Sequence, residues 1–143
     1  MKLDPTHRWA NRRNFHSSPG FGLCNAHGQT LTHIERYDAV VLPGGVQNSD
    51  TIRIDPDAQH LVKTGTSAGK PIAVICHGGW LLVSAGLVKG KTMTSYKTLK
   101  DDLVNAGANW VDKEVVKDGN LISSRQPDDI AAFNRELISA LSA

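Results

Sequence analysis

The sequence predicts a single α/β domain built around a largely parallel β-sheet. Two short apolar runs rich in β-branched residues, 37–42 and 71–75, each end at a glycine-containing turn. Helix signals alternate with these runs, which is the order that produces parallel strands connected by helices. The 143 residues and the 40% hydrophobic content are those of one globular domain that can bury a core.

The first half of the pattern contains two strands, each followed by a helix. Residues 37–42 predict a buried strand, closed by the turn Pro43-Gly44-Gly45. Asp55-Pro56-Asp57 predicts the start of a helix, since it combines a capping Asp, a proline at the first helical position and an acid in the first turn. Residues 71–75 predict a second buried strand, and a further helix follows through residues 80–83.

The second half predicts shorter elements. A short strand is expected at 91–95, and residues 98–101 (Thr-Leu-Lys-Asp) resemble a capping box that begins a helix. Asp118-Gly119 predicts a hairpin between strands at 111–116 and 121–124. Pro127-Asp128-Asp129 predicts the start of a last helix with one apolar face. The apolar residues of that face are Ile130, Phe133, Leu137, Ile138 and Leu141.

The chain divides near residue 33 into an irregular basic head, 1–33, and the α/β domain, 34–143. The head carries four basic side chains and one acid but no nucleic-acid-binding motif, so no nucleic-acid partner is predicted. No apolar run is long enough to span a membrane, and the first 30 residues contain no secretory signal. Two cysteines do not form a secreted disulfide framework, so a cytoplasmic protein is expected.

Cys76 is the strongest candidate for a reactive side chain. It lies between a predicted buried strand and a predicted helix start, which is the position of the nucleophile in a strand–turn–helix elbow. Unpaired N–H groups and the positive end of a helix stabilise a thiolate. The backbone amides near Gly44, Gly45 and His77 could form an oxyanion hole, and Gly78 leaves room for the tight turn.

Two points about this site stay open at the level of the residues. His77 could act as the base, although sequence adjacency alone rarely gives the required geometry. The alternative for Cys76 is that it is a small buried apolar side chain, as free cysteines often are. No phosphate-binding glycine motif and no four-ligand metal spacing are present, so neither a cofactor nor a metal is predicted.

Three segments together indicate a family. They are YDAVVLPGG (37–45), KPIAVICHGGWLLVSAGLVKGKTMTS (70–95) and ISSRQPDDIAAFNREL (122–137). From about Thr30 to the C-terminus the chain closely resembles the DJ-one/PfpI (ThiJ/PfpI) family of the class I glutamine-amidotransferase-like superfamily. The resemblance implies a flavodoxin-like three-layer sandwich with a mostly parallel sheet, which is usually a homodimer or a higher homo-oligomer.

The resemblance also implies roles for individual residues. The family nucleophile matches Cys76, the histidine after it matches His77, and the glycines beside the thiol match Gly44 and Gly45. Tyr96 matches a position that lines the site. Arg125 and Asp128 fall in a segment that lies near the active-site crevice in the family. For these two the structural alternative is that Arg125 pairs with an acid and that Asp128 helps to start the last helix.

The chain departs from the family pattern at its front. Relatives begin with a strand and a helix that place a Glu beside the nucleophilic Cys, where its carboxyl group hydrogen-bonds the sulfur. Residues 1–33 contain no match for these elements, and the first Glu of the chain is Glu35. A sandwich that lacks the usual first strand and helix is therefore expected.

Three functions remain open on this basis. The first is a cysteine-dependent hydrolase, an intracellular peptidase or a deglycase or glyoxalase, in which Cys76 attacks the carbonyl carbon of a small carbonyl compound or a peptide. The second is a stress-response chaperone or redox sensor without turnover. The third is a catalytically impaired, truncated homologue, because the usual N-terminal Glu has no match.

Overall fold

The structure, a computed structural model, describes residues 34–142. Six strands lie in this part of the chain: β1 Val40–Leu42, β2 Ile72–Ile75, β3 Thr92–Met93, β4 Asn109–Trp110, β5 Val115–Asp118 and β6 Leu121–Ser124. It also contains five α-helices: α1 Val46–Ile52, α2 Pro56–Ser67, α3 Gly79–Ser84, α4 Lys100–Asn105 and α5 Ile130–Leu141. Short 3₁₀ turns at Ile34–Arg36, Cys76–Gly78, Lys97–Leu99 and Pro127–Asp129 precede β1, α3, α4 and α5, respectively.

The main sheet has four strands in the order β1-β2-β6-β5. Strands β1, β2 and β6 run parallel, with Val41 opposite Ala73 and Ala73 opposite Ile122. Strand β5 is antiparallel to β6, and β3 and β4 form a separate parallel pair. The predicted α/β fold with a mostly parallel sheet is therefore confirmed.

Helices cover both faces of the main sheet. Side chains alternate between the two faces of a strand, so Ala73 and its neighbour Ile72 point in opposite directions. Phe133 of α5 packs in one apolar cluster with Ala73, whereas Gly65 of α2 closely approaches the side chain of Ile72. The sheet is consequently the middle layer of three, and the parallel strands present their carboxyl ends at one edge.

Two local predictions are confirmed in detail. Helix α2 begins at Pro56, and the carboxylate of Asp55 accepts hydrogen bonds from the backbone N–H groups of Asp57 (2.8 Å) and Ala58 (3.2 Å). The β5–β6 hairpin forms with Asp118 opposite Leu121 and with Gly119 at a φ of 62°. Glycine adopts this positive φ without steric cost, which explains the turn.

The capping box predicted at Thr98 is wrong. Helix α4 begins at Lys100, its N-cap position is Leu99, and no side chain caps it. Thr98 lies inside the 3₁₀ turn Lys97–Leu99 that precedes the helix. The hydroxyl group of Thr98 faces the side chain of His77 instead of a backbone N–H group.

Several element boundaries also differ from the sequence prediction. The strand expected at 91–95 is reduced to β3, and the strand expected at 111–116 begins only at Val115. Helix α1 follows directly on the turn after β1 and was not predicted. In α5 the apolar face is only partly buried, since Ile138 is 63% exposed.

The predictions for the head lie outside the described residues. These are its irregular structure, the boundary at residue 33 and the absence of the usual first strand and helix. Across residues 34–142, none of the helices is both long and apolar enough to cross a membrane.

Candidate active site

Cys76 occupies a sharp backbone turn at the carboxyl end of β2. Its φ is 61°, and it is the one non-glycine residue between 34 and 142 with a positive φ. A side chain in this region of backbone space costs about 1–3 kcal/mol, which the surrounding structure must offset. Such strain is concentrated at functional sites, where it holds a reactive group in place. The thiol is free and half-buried.

Glycines allow the turns after β1 and β2 to meet. A β-carbon on Gly44 would lie 2.7 Å from Cys76 Cβ and 3.2 Å from Cys76 Sγ. A β-carbon on Gly78 would lie 2.9 Å from the carbonyl oxygen of Leu42. Both positions therefore require glycine, and the backbone of Gly44 lies directly beside the sulfur. Gly45, at a φ of 100°, is the N-cap residue of α1.

Both nitrogens of the His77 ring have polar neighbours. Nδ1 lies 3.2 Å from Cys76 Sγ, and Nε2 lies 3.3 Å from the hydroxyl oxygen of Thr98. The side chain is buried, and burial lowers the pKa of His77 because the protonated ring loses hydration. Burial therefore favours the neutral ring, whose unprotonated nitrogen can accept a proton from the thiol.

Two aromatic rings hold the imidazole in its orientation. Trp80 meets the His77 ring edge-on with the ring centres 5.3 Å apart, and Tyr96 lies against it at 5.1 Å in a tilted arrangement. Tyr96 is attached to the elbow through its backbone N–H group, which donates to the carbonyl oxygen of Cys76 at 3.4 Å. Tyr96 therefore lies beside the Cys76–His77 pair.

Trp80 is itself fixed from two sides. Its indole N–H donates to the carboxylate of Asp102 at 2.7 Å, and the guanidinium group of Arg53 lies 5.3 Å from the ring centre. Arg53 also donates to the hydroxyl oxygen of Ser84 at 3.0 Å. One wall of the site is therefore a ring held by contacts from α1, α3 and α4.

The structure does not join Arg125 and Asp128 to this cluster. Arg125 donates to the carboxylate of Asp129 at 2.8 and 3.0 Å and to that of Asp112 at 2.7 Å. Asp128 is exposed and accepts from the side chain of Gln126. No hydrogen bond within residues 34–142 connects either side chain to Cys76 or His77. The ion pairs of Arg125 are those of its structural alternative, whereas the Asp128 side chain does not cap α5.

The sulfur of Cys76 has His77 as its hydrogen-bond partner within the described part of the chain. Within residues 34–142, the hydrogen bonds of this sulfur include none to a carboxylate. In the same range, no group of three or more His, Cys, Asp or Glu side chains is placed so that it could hold a metal ion.

Sequence reasoning missed two members of the site. The sequence predicts Thr98 only as part of a capping box and Trp80 only as part of the helix through residues 80–83, and it predicts neither as a contact of His77. A signal for Trp80 was available, because it follows His77 by three residues at the start of a helix and side chains at this spacing share a face. For Thr98 no local signal exists, because its partner is 21 positions away in sequence.

The comparisons with known proteins agree with this architecture. The model of the DJ-1/PfpI family matches residues 16–140. The chain belongs to this family. The matched region begins earlier than the resemblance seen in the motifs, which started at about Thr30.

Individual relatives are similar over three quarters of the chain or more. A deglycase of Pyrococcus abyssi is 48% identical over 107 residues, which are 75% of this chain and 64% of the relative. Protein/nucleic acid deglycase 2 of Escherichia coli is 43% identical over 108 residues, 75% of this chain and 62% of the relative.

A solved structure shows the same family fold. The two-domain protein from Anabaena variabilis, with DJ-1/ThiJ/PfpI-like and ferritin-like domains, superposes with a TM-score of 0.76 at 34% identity, covering 85% of this chain and 37% of that one. The chain thus has a flavodoxin-like fold of this family. It spans less than two thirds of the length of the curated relatives that it matches.

Proposed function

We propose that the protein is a cysteine-dependent hydrolase of the deglycase or glyoxalase type, with Cys76 as nucleophile and His77 as base. The observation that carries this proposal is the distance of 3.2 Å between Cys76 Sγ and His77 Nδ1 at a strained strand end. The names of the relatives support it, since the proteins from Pyrococcus abyssi and Escherichia coli are both called deglycases.

The proposed first step is the addition of the thiol to a carbonyl carbon. His77 Nδ1 takes the thiol proton, Sγ bonds to the carbon, and the carbonyl π electrons move to the oxygen, which then takes that proton. The product is a thiohemiacetal. The backbone of Gly44 lies beside the sulfur, and the backbone amides near Gly44 and Gly45 are the candidates for binding the developing oxyanion.

Water completes the reaction. With methylglyoxal, the thiohemiacetal isomerises in two proton transfers. The C–H proton of the former aldehyde carbon moves to the neighbouring ketone carbon, and the O–H proton on the former aldehyde carbon moves to the ketone oxygen, which gives a lactoyl thioester. Hydrolysis of this thioester releases lactate and restores the thiol, so methylglyoxal and one water molecule give one lactate. An adduct of the same aldehyde with an amine would release the free amine as well.

The proposed substrate is therefore a small carbonyl compound or its adduct, with a peptide as the second substrate class. The same proposal includes a homodimer or higher homo-oligomer in the cytoplasm, without a nucleic-acid or membrane partner. Apolar side chains exposed on α5 support self-association.

Substitution of Cys76 tests the function directly. We expect Cys76→Ala to abolish lactate formation from methylglyoxal, and His77→Ala to slow it by about 10²–10⁴-fold, the usual contribution of a general base. The matched control is Cys24→Ala, which removes the other cysteine and should leave turnover unchanged. Circular dichroism checks that each variant is folded, and a casein assay measures peptide hydrolysis in parallel.

The same assays separate the alternatives. Full lactate formation by Cys76→Ala would refute the proposal. A wild-type protein that forms no lactate and cleaves no casein, yet prevents aggregation of an unfolded client, would instead indicate that the protein is a chaperone. A folded wild-type protein inactive in all three assays would indicate a catalytically impaired homologue.

A further inference from the structure

The His77 ring has two nitrogens with different neighbours, and their protonation decides what the ring can do. A neutral imidazole carries one N–H donor and one acceptor nitrogen, and the hydrogen bond made by one nitrogen fixes the state of the other. Nδ1 faces Cys76 Sγ at 3.2 Å, and Nε2 faces Thr98 Oγ1 at 3.3 Å.

Only one of the two neutral forms can receive the thiol proton at Nδ1. In that form the proton is on Nε2, which donates to Thr98 Oγ1, and the Nδ1 lone pair points at the sulfur. After proton transfer both nitrogens carry hydrogen, so Nε2 still needs an acceptor. Thr98 supplies one in both states, and because its side chain is exposed its own hydrogen can be donated to water.

We infer that Thr98 is a positioning residue, which holds His77 with its proton on Nε2 so that Nδ1 can accept the proton of Cys76. The catalytic meaning of this inference rests on the proposed function. Thr98 thus takes the place of the third group in a nucleophile–base–orienting-group arrangement, although it neither touches the substrate nor reacts. Nothing in the sequence around Thr98 suggests this role.

The fold places the Thr98 hydroxyl accurately. Thr98 lies in the 3₁₀ turn between Tyr96 and α4, and this turn is anchored at both ends. On one side the N–H group of Tyr96 donates to the carbonyl oxygen of Cys76. On the other side Leu99 is fully buried and approaches Gly79 of α3, so the turn cannot shift without opening the core.

The His77 ring is also prevented from turning away. Trp80 contacts one side of it edge-on, and Tyr96 lies against another. The titratable neighbours of the ring in the described part of the chain are Cys76 and Tyr96. The charged groups of Arg53 and Asp102 act on Trp80 instead of on His77.

The test compares Thr98→Val, which removes the hydroxyl at nearly constant shape, with Thr98→Ser, which keeps it. Cys76 alkylation by iodoacetamide is followed against pH by mass spectrometry. We expect Thr98→Val to slow alkylation at neutral pH about five-fold, the factor for one ordinary hydrogen bond, and to move the midpoint of the profile to higher pH. Thr98→Ser should restore the wild-type profile.

The chain offers a matched control. Thr64 Oγ1 faces His60 Nε2 at 3.5 Å on the exposed side of α2, so Thr64→Val removes a similar threonine–histidine contact away from Cys76. This variant should leave the alkylation profile unchanged. If Thr64→Val shifts the profile as much as Thr98→Val does, the effect is not specific and the inference is wrong.

A second readout needs no variant. Two-dimensional ¹⁵N–¹H spectra of the His77 ring distinguish a protonated from an unprotonated ring nitrogen, and we expect the wild-type proton on Nε2. A proton on Nδ1 in the neutral wild-type ring, or a Thr98→Val profile identical to wild type, overturns the inference. Neither readout uses a substrate, so a protein without methylglyoxal turnover could fail the proposed function and still support the role of Thr98.

Discussion

The geometry at Cys76 depends on glycines, because the turns after β1 and β2 approach each other more closely than a β-carbon would allow. Gly78 and Gly79 are neighbours in sequence, yet they have opposite surroundings. A β-carbon on Gly78 would meet the carbonyl oxygens of Leu42 and Pro43 at 2.9 and 3.0 Å. A β-carbon on Gly79 would meet only side-chain carbons, the nearest at 3.6 Å, which is ordinary van der Waals contact.

We therefore expect opposite effects from the same substitution at these two positions. Gly78→Ala should destabilise the protein by about 1–3 kcal/mol, because backbone oxygens cannot move aside as a flexible side chain would. Gly79→Ala should be neutral or stabilising by up to about 1 kcal/mol, because alanine favours the helix at whose start it lies. Urea unfolding followed by circular dichroism measures both, and equal losses at the two positions would contradict the steric explanation.

At the residue scale, sequence reasoning predicted the position of Cys76 at a strand end but not the contact between Thr98 and His77. Cys76 could be predicted because a strand end, a tight turn and a helix start follow one another locally. Thr98 could not, because a threonine before a predicted helix has a common local explanation as a cap and its contact with His77 is created only by folding.

The start of α5 is held by an ion pair between a partly exposed Arg125 and a buried Asp129. The carboxylate of Asp129 is 7% exposed and accepts two hydrogen bonds from Arg125, four residues before it. The hydrogen bonds from Arg125 lower the pKa of Asp129 below its ordinary value of 3.8, and Asp129 and Asp112 raise the pKa of Arg125. Arg125 follows directly on β6, so this pair links the carboxyl end of β6 to the helix.

Replacing Asp129 should therefore destabilise the protein in a pH-dependent way. We expect Asp129→Asn to lower the free energy of unfolding at pH 7 by about 1–3 kcal/mol, because the donors of Arg125 lose their charged partner. Since the folded-state pKa is lowered, this stabilisation is present above the unfolded value of 3.8 and is lost as pH falls through the folded pKa. The difference between wild type and variant should then shrink in acid.

The matched control is the neighbouring Asp128, which is exposed and accepts a hydrogen bond from the side chain of Gln126. Asp128→Asn should change stability by no more than about 0.5 kcal/mol. Urea titrations of the three proteins at neutral and acid pH make the comparison. A loss for Asp129→Asn that stays constant with pH would show that packing rather than charge holds this segment.

At the element scale, prediction succeeded where local chemistry decides the structure. Asp55-Pro56 begins α2, and Gly119 forms the hairpin, because a capping carboxylate and a positive φ are properties of one or two residues. The pairing of β3 with β4 could not be predicted in the same way, although a short strand that contains β3 was expected at 91–95. Each strand is two residues long, and the two pair only because Asn109 and Thr92 become neighbours in the folded chain.

At the scale of the whole molecule, α5 buries only one part of its apolar surface. Phe133 and Leu137 pack on the sheet, but three further apolar residues on the same helix remain exposed. They are Ile130 at 45%, Ile138 at 63% and Leu141 at 42%. At this spacing they form one stripe along the helix, and such a stripe is typical of a surface that contacts another protein.

Self-association through this stripe predicts a specific change in mass. Wild type should elute as a dimer or larger species in size-exclusion chromatography with light scattering. Ile138→Glu should weaken the association about 10²- to 10⁴-fold, because exposing one buried isoleucine costs about 1.5–3 kcal/mol and a two-fold interface contains this residue twice. Val104→Glu is the control, since Val104 is 48% exposed on α4, outside the stripe, and its substitution should leave the mass unchanged. A monomeric wild type, or an Ile138→Glu variant of wild-type mass, would show that the exposed face of α5 does not mediate self-association.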